Sequence, residues 1–294
     1  MGLREIGYRH WEGTYTGHAL RWWTVARAAL RSTVYSKGRL LLLLILIAIA
    51  WAMPFVLGLI WFFLPPEATQ FLSQSDDGTI DRRVRQDLNN LVTEWQWMWA
   101  TLFSAVVGSR LVSNDLRSEA LYIYLAKPLR RVDYIIGKML ACVIWLVPVT
   151  LAPALFVFAA ANGATNKQVT IREPGEILLE LLWVESAFLI MCAAGAVTMS
   201  SITKRWVLAL VAWVGLMFIS VPLALISAEA SRDPEWLYLS PVTNLWVFAG
   251  HVFEQTPDPN FTPDWAPAAW IIHGIIALAT AIFITRVLRI EVSE

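Results

Sequence analysis

The chain has little charge, almost no cysteine and none of the short motifs that carry catalysis. Only 16% of its 294 residues are Asp, Glu, Lys or Arg, while 57% are hydrophobic, a balance that a water-soluble domain rarely tolerates. Cys142 and Cys192 are its only cysteines, each within an apolar run. That excludes a disulfide scaffold and a CxxC metal site, and assigns both thiols to packing. No GxxxxGK[ST] run is present, so the chain cannot cradle ATP phosphates. HExxH is missing, as is any Ser, His and Asp spacing suited to nucleophilic attack, which points away from an enzyme and from a metal or cofactor held by this chain. No internal repeat, low-complexity tract or basic patch suited to nucleic acid occurs.

What is present is a set of long apolar runs, with a mean hydropathy of +0.55 over the chain. A run of about 18 or more apolar residues can cross the hydrocarbon core as a helix, and lipid leaves backbone groups no other partner. The runs lack the alternation of a membrane barrel. The pattern predicts an all-α, polytopic membrane protein with about six spans, over residues 40–64, 91–112, 139–161, 177–202, 206–228 and 268–288. An even count puts both termini on one side. The basic residues cluster on that side: Arg4, Arg9, Arg21, Arg27, Arg31, Lys37 and Arg39 precede the first span, and Arg110, Arg117, Lys127, Arg130, Arg131 and Lys138 flank the link between the second and third. Lys204, Arg205, Arg286 and Arg289 complete the set. The basic face is expected to be cytoplasmic, in an inner-membrane protein with both termini inside. The net charge of zero hides this sidedness, because acids such as Asp76, Asp81, Asp87, Glu229, Asp233 and Asp264 fill the opposite loops.

Residues 1–38 read as a cytoplasmic segment and 39–294 as the membrane domain, with outer loops at about 65–90, 162–176 and 229–267. Ala48, Ala50 and Ala52 resemble a signal-peptidase site, but the apolar run continues past them behind a long basic stretch, unlike a secretory signal. Within 19–36, Trp22, Trp23, Ala26, Ala29, Leu30 and Val34 share one helical face and Arg21, Thr24, Arg27 and Arg31 the other. That segment is expected to lie flat on the inner leaflet as an interfacial helix touching lipid. In the third outer loop, WLYLSPVTNLWVFAGHVF is apolar but contains Pro241. A short helix or hairpin resting on the outer leaflet is expected there, rather than a seventh span.

The link at 109–140, SRLVSNDLRSEALYIYLAKPLRRVDYIIGKML, mixes charge with more aromatic surface than a solvated loop needs. Ser113, Asn114 or Asp115 can cap a short helix through residues 119–126, and Pro128 ends or redirects it. A partner protein is expected to cover this surface.

Here the chain resembles the membrane subunits of type-2 ABC export permeases, particularly those related to the permease of the nitrous oxide reductase maturation transporter. The likeness rests on Asn114-Asp115-Leu116-Arg117-Ser118-Glu119-Ala120-Leu121, on Tyr124-Leu125-Ala126-Lys127-Pro128-Leu129, on Asp133-Tyr134 to Gly137-Lys138, and on Leu239-Ser240-Pro241-Val242 before the last span. Glu119 stands where relatives commonly have Gly, and Lys127 where many have Arg. The resemblance implies a cytoplasmic coupling helix within 113–138. Asn114, Asp115, Arg117, Glu119, Tyr122, Leu125, Lys127, Pro128, Arg131, Asp133, Tyr134 and Lys138 would meet or support separate ABC ATPase subunits, which carry ATP and Mg. It also implies a second permease subunit, identical or not.

Intramembrane charges are expensive, so each asks for a reason. Arg110 and Arg286 lie near enough to the basic side to snorkel, and Glu94 and Glu180 near enough to the acidic side to be wet. Glu185 is deeper. With Cys192 and nearby small residues it is a candidate to face a dimer seam or a translocation path, with plain packing as the alternative. His273 reads as a hydrogen-bonded structural residue. An ion-coupled carrier using Glu94, Glu185 and His273, and a noncatalytic membrane anchor of a motility or maturation complex, stand as alternatives to an ATP-driven exporter.

Overall fold

The computed structural model describes residues 20–63, 80–118, 130–165, 171, 173–255 and 262–289. Helix is the regular structure throughout, and no strand occurs among the described residues. In chain order the helices are α1 (Arg21–Val34), α2 (Lys37–Ala50), α3 (Ala52–Phe63), α4 (Ile80–Asn90), a π turn (Leu91–Gln96), α5 (Trp97–Leu111), α6 (Ser113–Arg117), α7 (Arg131–Leu146), α8 (Leu151–Thr165), α9 (Pro174–Ile202), α10 (Trp206–Ser231), a 3-10 turn (Pro234–Leu239), α11 (Pro241–Val252) and α12 (Trp265–Leu288). Four stretches are long and apolar enough to cross a membrane: Lys37–Phe63, Pro174–Ile202, Trp206–Ser231 and Trp265–Leu288. The pair α7 and α8, bent by 41°, makes a fifth if taken as one span. The expected span at 91–112 is helical but opens with the π turn, so no single helix there meets that length.

Helix α9 is the centre. Of its most apolar stretch 61% is buried, against 17% to 28% for the other three. Pro174 starts it where a missing N–H costs nothing. Small residues then let neighbours close in: a Cβ on Gly108 would meet Ala196 Cβ at 2.5 Å, and one on Gly195 would meet the Trp213 ring at 2.2 Å. Between apolar helices in lipid, such close backbone approach is a main source of attraction.

Proline interrupts the helices where indole and amide groups catch the released carbonyls. Pro54 cannot donate to the carbonyl of Ala50, and Trp95 Nε1 donates to that oxygen instead at 3.1 Å. At the α7/α8 bend, the Ala152 N–H bonds back to Val147, leaving the Pro148 carbonyl to accept from Trp51 Nε1 at 2.7 Å. The adjacent Thr150 carbonyl accepts from Gln96 Nε2 at 2.9 Å. Buried backbone groups are thus re-satisfied as a membrane interior requires.

Two expectations need correction. The segment 80–90, taken as part of a polar loop, is helix α4, with Ile80, Val84 and Leu88 buried at every fourth position. The segment at Pro241 is the short helix α11, but it does not rest on a surface. Val242, Leu245, Phe248 and Ala249 are buried, and it packs chiefly on α12 and α10. Pro241 begins that helix rather than breaking it, behind Ser240, whose Oγ accepts the Val242 N–H at 3.2 Å.

Candidate functional site

Polar side chains gather at the two ends of the bundle and at one place between them. The end holding α1, the start of α7 and the close of α12 is called proximal here, the opposite one distal.

At the proximal end, residues 119–129 lie outside the described residues, and with them Glu119, Tyr122, Leu125, Lys127 and Pro128. The flanks of that segment are tied together. Asp115 Oδ2, on α6, accepts from Tyr134 Oη at 2.9 Å and pairs with Lys138 Nζ at 2.7 Å, both on α7. Side-chain exposure is only 8% for Lys138 and 15% for Asp115, so the pair is largely removed from water. Ser200 on α9 fixes the other side. Its hydroxyl accepts the N–H groups of Val112 and Ser113 at 3.0 and 2.9 Å and donates to the Ser109 carbonyl at 2.8 Å. Asp133 folds back on the Arg130 N–H at 3.3 Å, and Arg131 Nη1 donates to the Leu288 carbonyl at 2.6 Å.

The twelve residues expected to serve one docking surface therefore divide. Asp115, Tyr134 and Lys138 are committed to one another, whereas Asn114 and Arg117 are exposed on α6. Helix α1 divides too. Arg27 and Arg31 face out and Trp23 is 42% exposed, but Ala26, Ala29 and Thr33 are buried, and the helix packs chiefly on α7. A Cβ on Gly137 would lie 2.7 Å from the Trp22 carbonyl oxygen and from Val25 Cβ, so that glycine admits the helix. Trp22 is half-buried, stacked edge-on with Trp23, and Arg21 begins the helix. Part of the face expected to meet lipid meets protein. Arg110 lies over the Trp206 ring at 3.5 Å, packed rather than simply reaching to water.

The distal end was not legible as a site. Arg85 is 5% exposed, and its Nε and Nη2 donate to the two oxygens of Glu180 at 2.8 and 2.9 Å. Glu254 lies 3.3 Å away and Glu176 3.8 Å. The Glu180 bond, joined by the other two carboxylates, pushes the Arg85 pKa up against the opposing cost of burial. Glu180, expected to be wet, is paired. The one hint in the chain was the period of four in α4, which places Arg85 beside the buried stripe. Nearby, Trp61 Nε1 donates to Asp87 Oδ2 at 3.0 Å.

Between the ends, Glu185 is 0% exposed and Gln96, at the last position of the π turn, faces it. Cys192 lies one further stretch along α9 beside Ser104, which accepts from Trp213 Nε1 at 2.9 Å. The expected line of Glu185 and Cys192 therefore faces the chain's own interior, not an open path or an exposed seam. Glu94 and His273 are exposed, the latter with Nδ1 at 2.7 Å from the Ala269 carbonyl, so the three residues of the carrier alternative do not meet. Among the described residues no three His, Cys, Asp or Glu are placed to hold a metal. A cavity of about 610 Å³ opens at the distal end between α10, α11 and α12, lined by Leu225, Trp246, His251 and Trp265 among others.

Compared in sequence with family models and with curated proteins, the chain matches none.

Proposed function

We propose that the chain is the membrane permease subunit of an ATP-binding cassette exporter. It spans the inner membrane six times, counting the π turn with α5 as one span, with the proximal end and both termini cytoplasmic. Two cytoplasmic ATPase subunits dock on the segment 113–138, and a second permease subunit completes the path. The observation that carries this reading is the resemblance along 114–138, together with the way the flanks of that segment are fastened. A lever that receives motion from a motor must not be slack where it joins the spans, and Asp115, Lys138, Tyr134 and Ser200 remove that slack. The excess of Lys and Arg at the proximal end supports the orientation. Power comes from a separate polypeptide, since this one has no phosphate-binding loop.

The test co-expresses this chain with a candidate ABC ATPase subunit and uses a charge reversal on the exposed side of α6. Arg117→Glu should leave folding unchanged, as surface changes usually do within about 0.5 kcal/mol, and should reduce co-purification of the ATPase and nucleotide-dependent transport by the reconstituted pair. Unchanged co-purification and transport remove the docking assignment. Transport that runs without nucleotide makes the chain a secondary carrier instead.

A further inference from the structure

We infer that Arg39 and Arg110 form a binding site for the phosphate of an anionic membrane lipid, at the proximal end where α1 turns into α2 beside α5. A narrow gap there is walled by Ser32 and Thr33 of α1, Arg39 of α2, Val106 and Arg110 of α5 and Asn114 of α6. Two half-buried guanidiniums line it, and the charge that acts on Arg110 is that of Arg39, of like sign. Among the described residues no carboxylate lines the gap. The nearest acid along the chain, Asp115, is spent on Lys138 and Tyr134. Cations withdrawn from water are ordinarily paired, and two brought together without an acid carry a cost that an anion from outside removes.

Donors remain for that anion. The Arg110 guanidinium rests on the Trp206 ring at 3.5 Å, a contact that leaves its in-plane N–H groups for an acceptor. One of them, Nε, is buried and donates to nothing. Arg39 gives Nη1 to the Ser32 carbonyl at 3.1 Å, folding back over the turn between α1 and α2, and its other N–H groups have no partner among the described residues. The free volume of the gap is about 10 Å³, room for one oxygen. A phosphate therefore enters with a single oxygen and keeps the rest at the mouth. Position selects a lipid over a soluble anion. Arg39 stands in the first turn of the span Lys37–Phe63, whose Leu41, Leu42, Leu44 and Ile45 are exposed to carry acyl chains. Arg110 stands in the last turn of α5, so both cations lie where apolar helix ends. The exposed Lys204 and Arg205, just before Trp206, extend a basic rim suited to an anionic leaflet.

The inference stands apart from the transport reading and needs no ATPase. The full chain in nonionic detergent, at about 0.15 M salt to screen exposed charges, is titrated with dioctanoyl phosphatidylglycerol, and retained lipid is counted by native mass spectrometry. Saturable retention is expected, with phosphatidylcholine of the same chain length held more weakly. Arg39→Gln should weaken retention about tenfold, the scale of one charge-assisted hydrogen bond. Arg110→Gln should do the same, and Arg39→Gln carries the test alone if that variant does not fold. Arg27→Gln removes an exposed cation of α1 that does not line the gap, and should change retention by less than about twofold. Retention unchanged by Arg39→Gln, weakened as much by Arg27→Gln, or equal for phosphatidylcholine overturns the inference. Inorganic phosphate that displaces the lipid at equal concentration gives the gap to a free anion and overturns the lipid assignment.

Discussion

The two ends of the bundle solve the problem of a buried cation differently. At the proximal end Lys138 meets one carboxylate, Asp115, and a phenol completes the set, so charge is balanced inside a closed, nearly dry site. At the distal end Arg85 is surrounded by Glu180, Glu176 and Glu254, an excess of acid that only water can make tolerable. Glu254 and Glu176 are accordingly 67% and 57% exposed, and Glu180 alone is drawn in, at 15%. A planar guanidinium with five donors suits several carboxylates, while an ammonium suits one short contact. The proximal site fastens the two flanks of a single segment, and the distal site gathers α4, α9 and the end of α11 around one side chain.

The sharpest way to break this comparison is to remove each cation. Arg85→Met leaves Glu180 with no partner in a poorly hydrated place and sets the carboxylates of α9, Glu176 and Glu180, against that of Glu254 at the end of α11. Removing one partner of a buried pair costs about 3 to 5 kcal/mol. The partly wet acids put Arg85→Met near the low end, read as lost stability in a reversible unfolding titration in detergent. Glu254→Gln in the same assay should cost under about 1 kcal/mol, because that carboxylate is mostly in water. Equal effects from the two would mean that the cluster is not centred on Glu180.

At the proximal end Lys138→Met and Asp115→Asn should each cost about 2 kcal/mol, and the double variant well under their sum, with a coupling energy of about 1 to 2 kcal/mol. Additive losses would show that the 2.7 Å contact contributes nothing as a pair. Because the pair holds the flanks of the proposed lever, the single variants should also lower nucleotide-dependent transport more than they lower ATPase binding. Arg117→Glu should do the reverse.

Much of this was readable in the chain, and what was not has physical causes. Apolar length marks helices in lipid because backbone groups have no other partner there, and the apolar runs reappear as helices. The helix α1 was legible from its arginine spacing, but its partner was not: protein and lipid tails are equally apolar, so only the close approach of Trp22 and Val25 to Gly137 reveals that α7 takes part of that face. The start of α11 was available as Ser240-Pro241, a cap followed by the one proline position that favours a helix. Proline's reputation as a breaker obscured it. The pairs Arg85 with Glu180 and Gln96 with Thr150 join residues far apart in the chain, and no local pattern foretells them. The same holds for Glu185. Its depth was evident from the apolar run around it, but which wall it faces depends on a π turn that no period in the chain announces.

The smallest effect, and one whose sign is the test, concerns the joint between α3 and α4 beside Arg85. Asp87 is 6% exposed, accepts from Trp61 Nε1 at 3.0 Å and lies 3.4 Å from Arg83. Burial raises its pKa above the ordinary carboxylate value, and the attraction of Arg83 and the Trp61 bond offset only part of that. The folded chain thus holds this proton more firmly than the unfolded chain does. The resulting stabilisation is complete below the unfolded value, about 3.9, and is lost as pH rises through the folded one. Asp87→Asn keeps an acceptor for Trp61 and removes the titration, at the expense of an ion pair to Arg83 that is worth little because Arg83 is half-exposed. The variant should gain stability relative to the parent at neutral pH, and the gain should shrink toward zero as the solution is acidified past the carboxylate range. Calorimetric melting of both chains across that range checks it. A gap that widens on acidification would mean that the ionised carboxylate is the form the fold prefers, and that Arg83 and Trp61 together outweigh burial at this position.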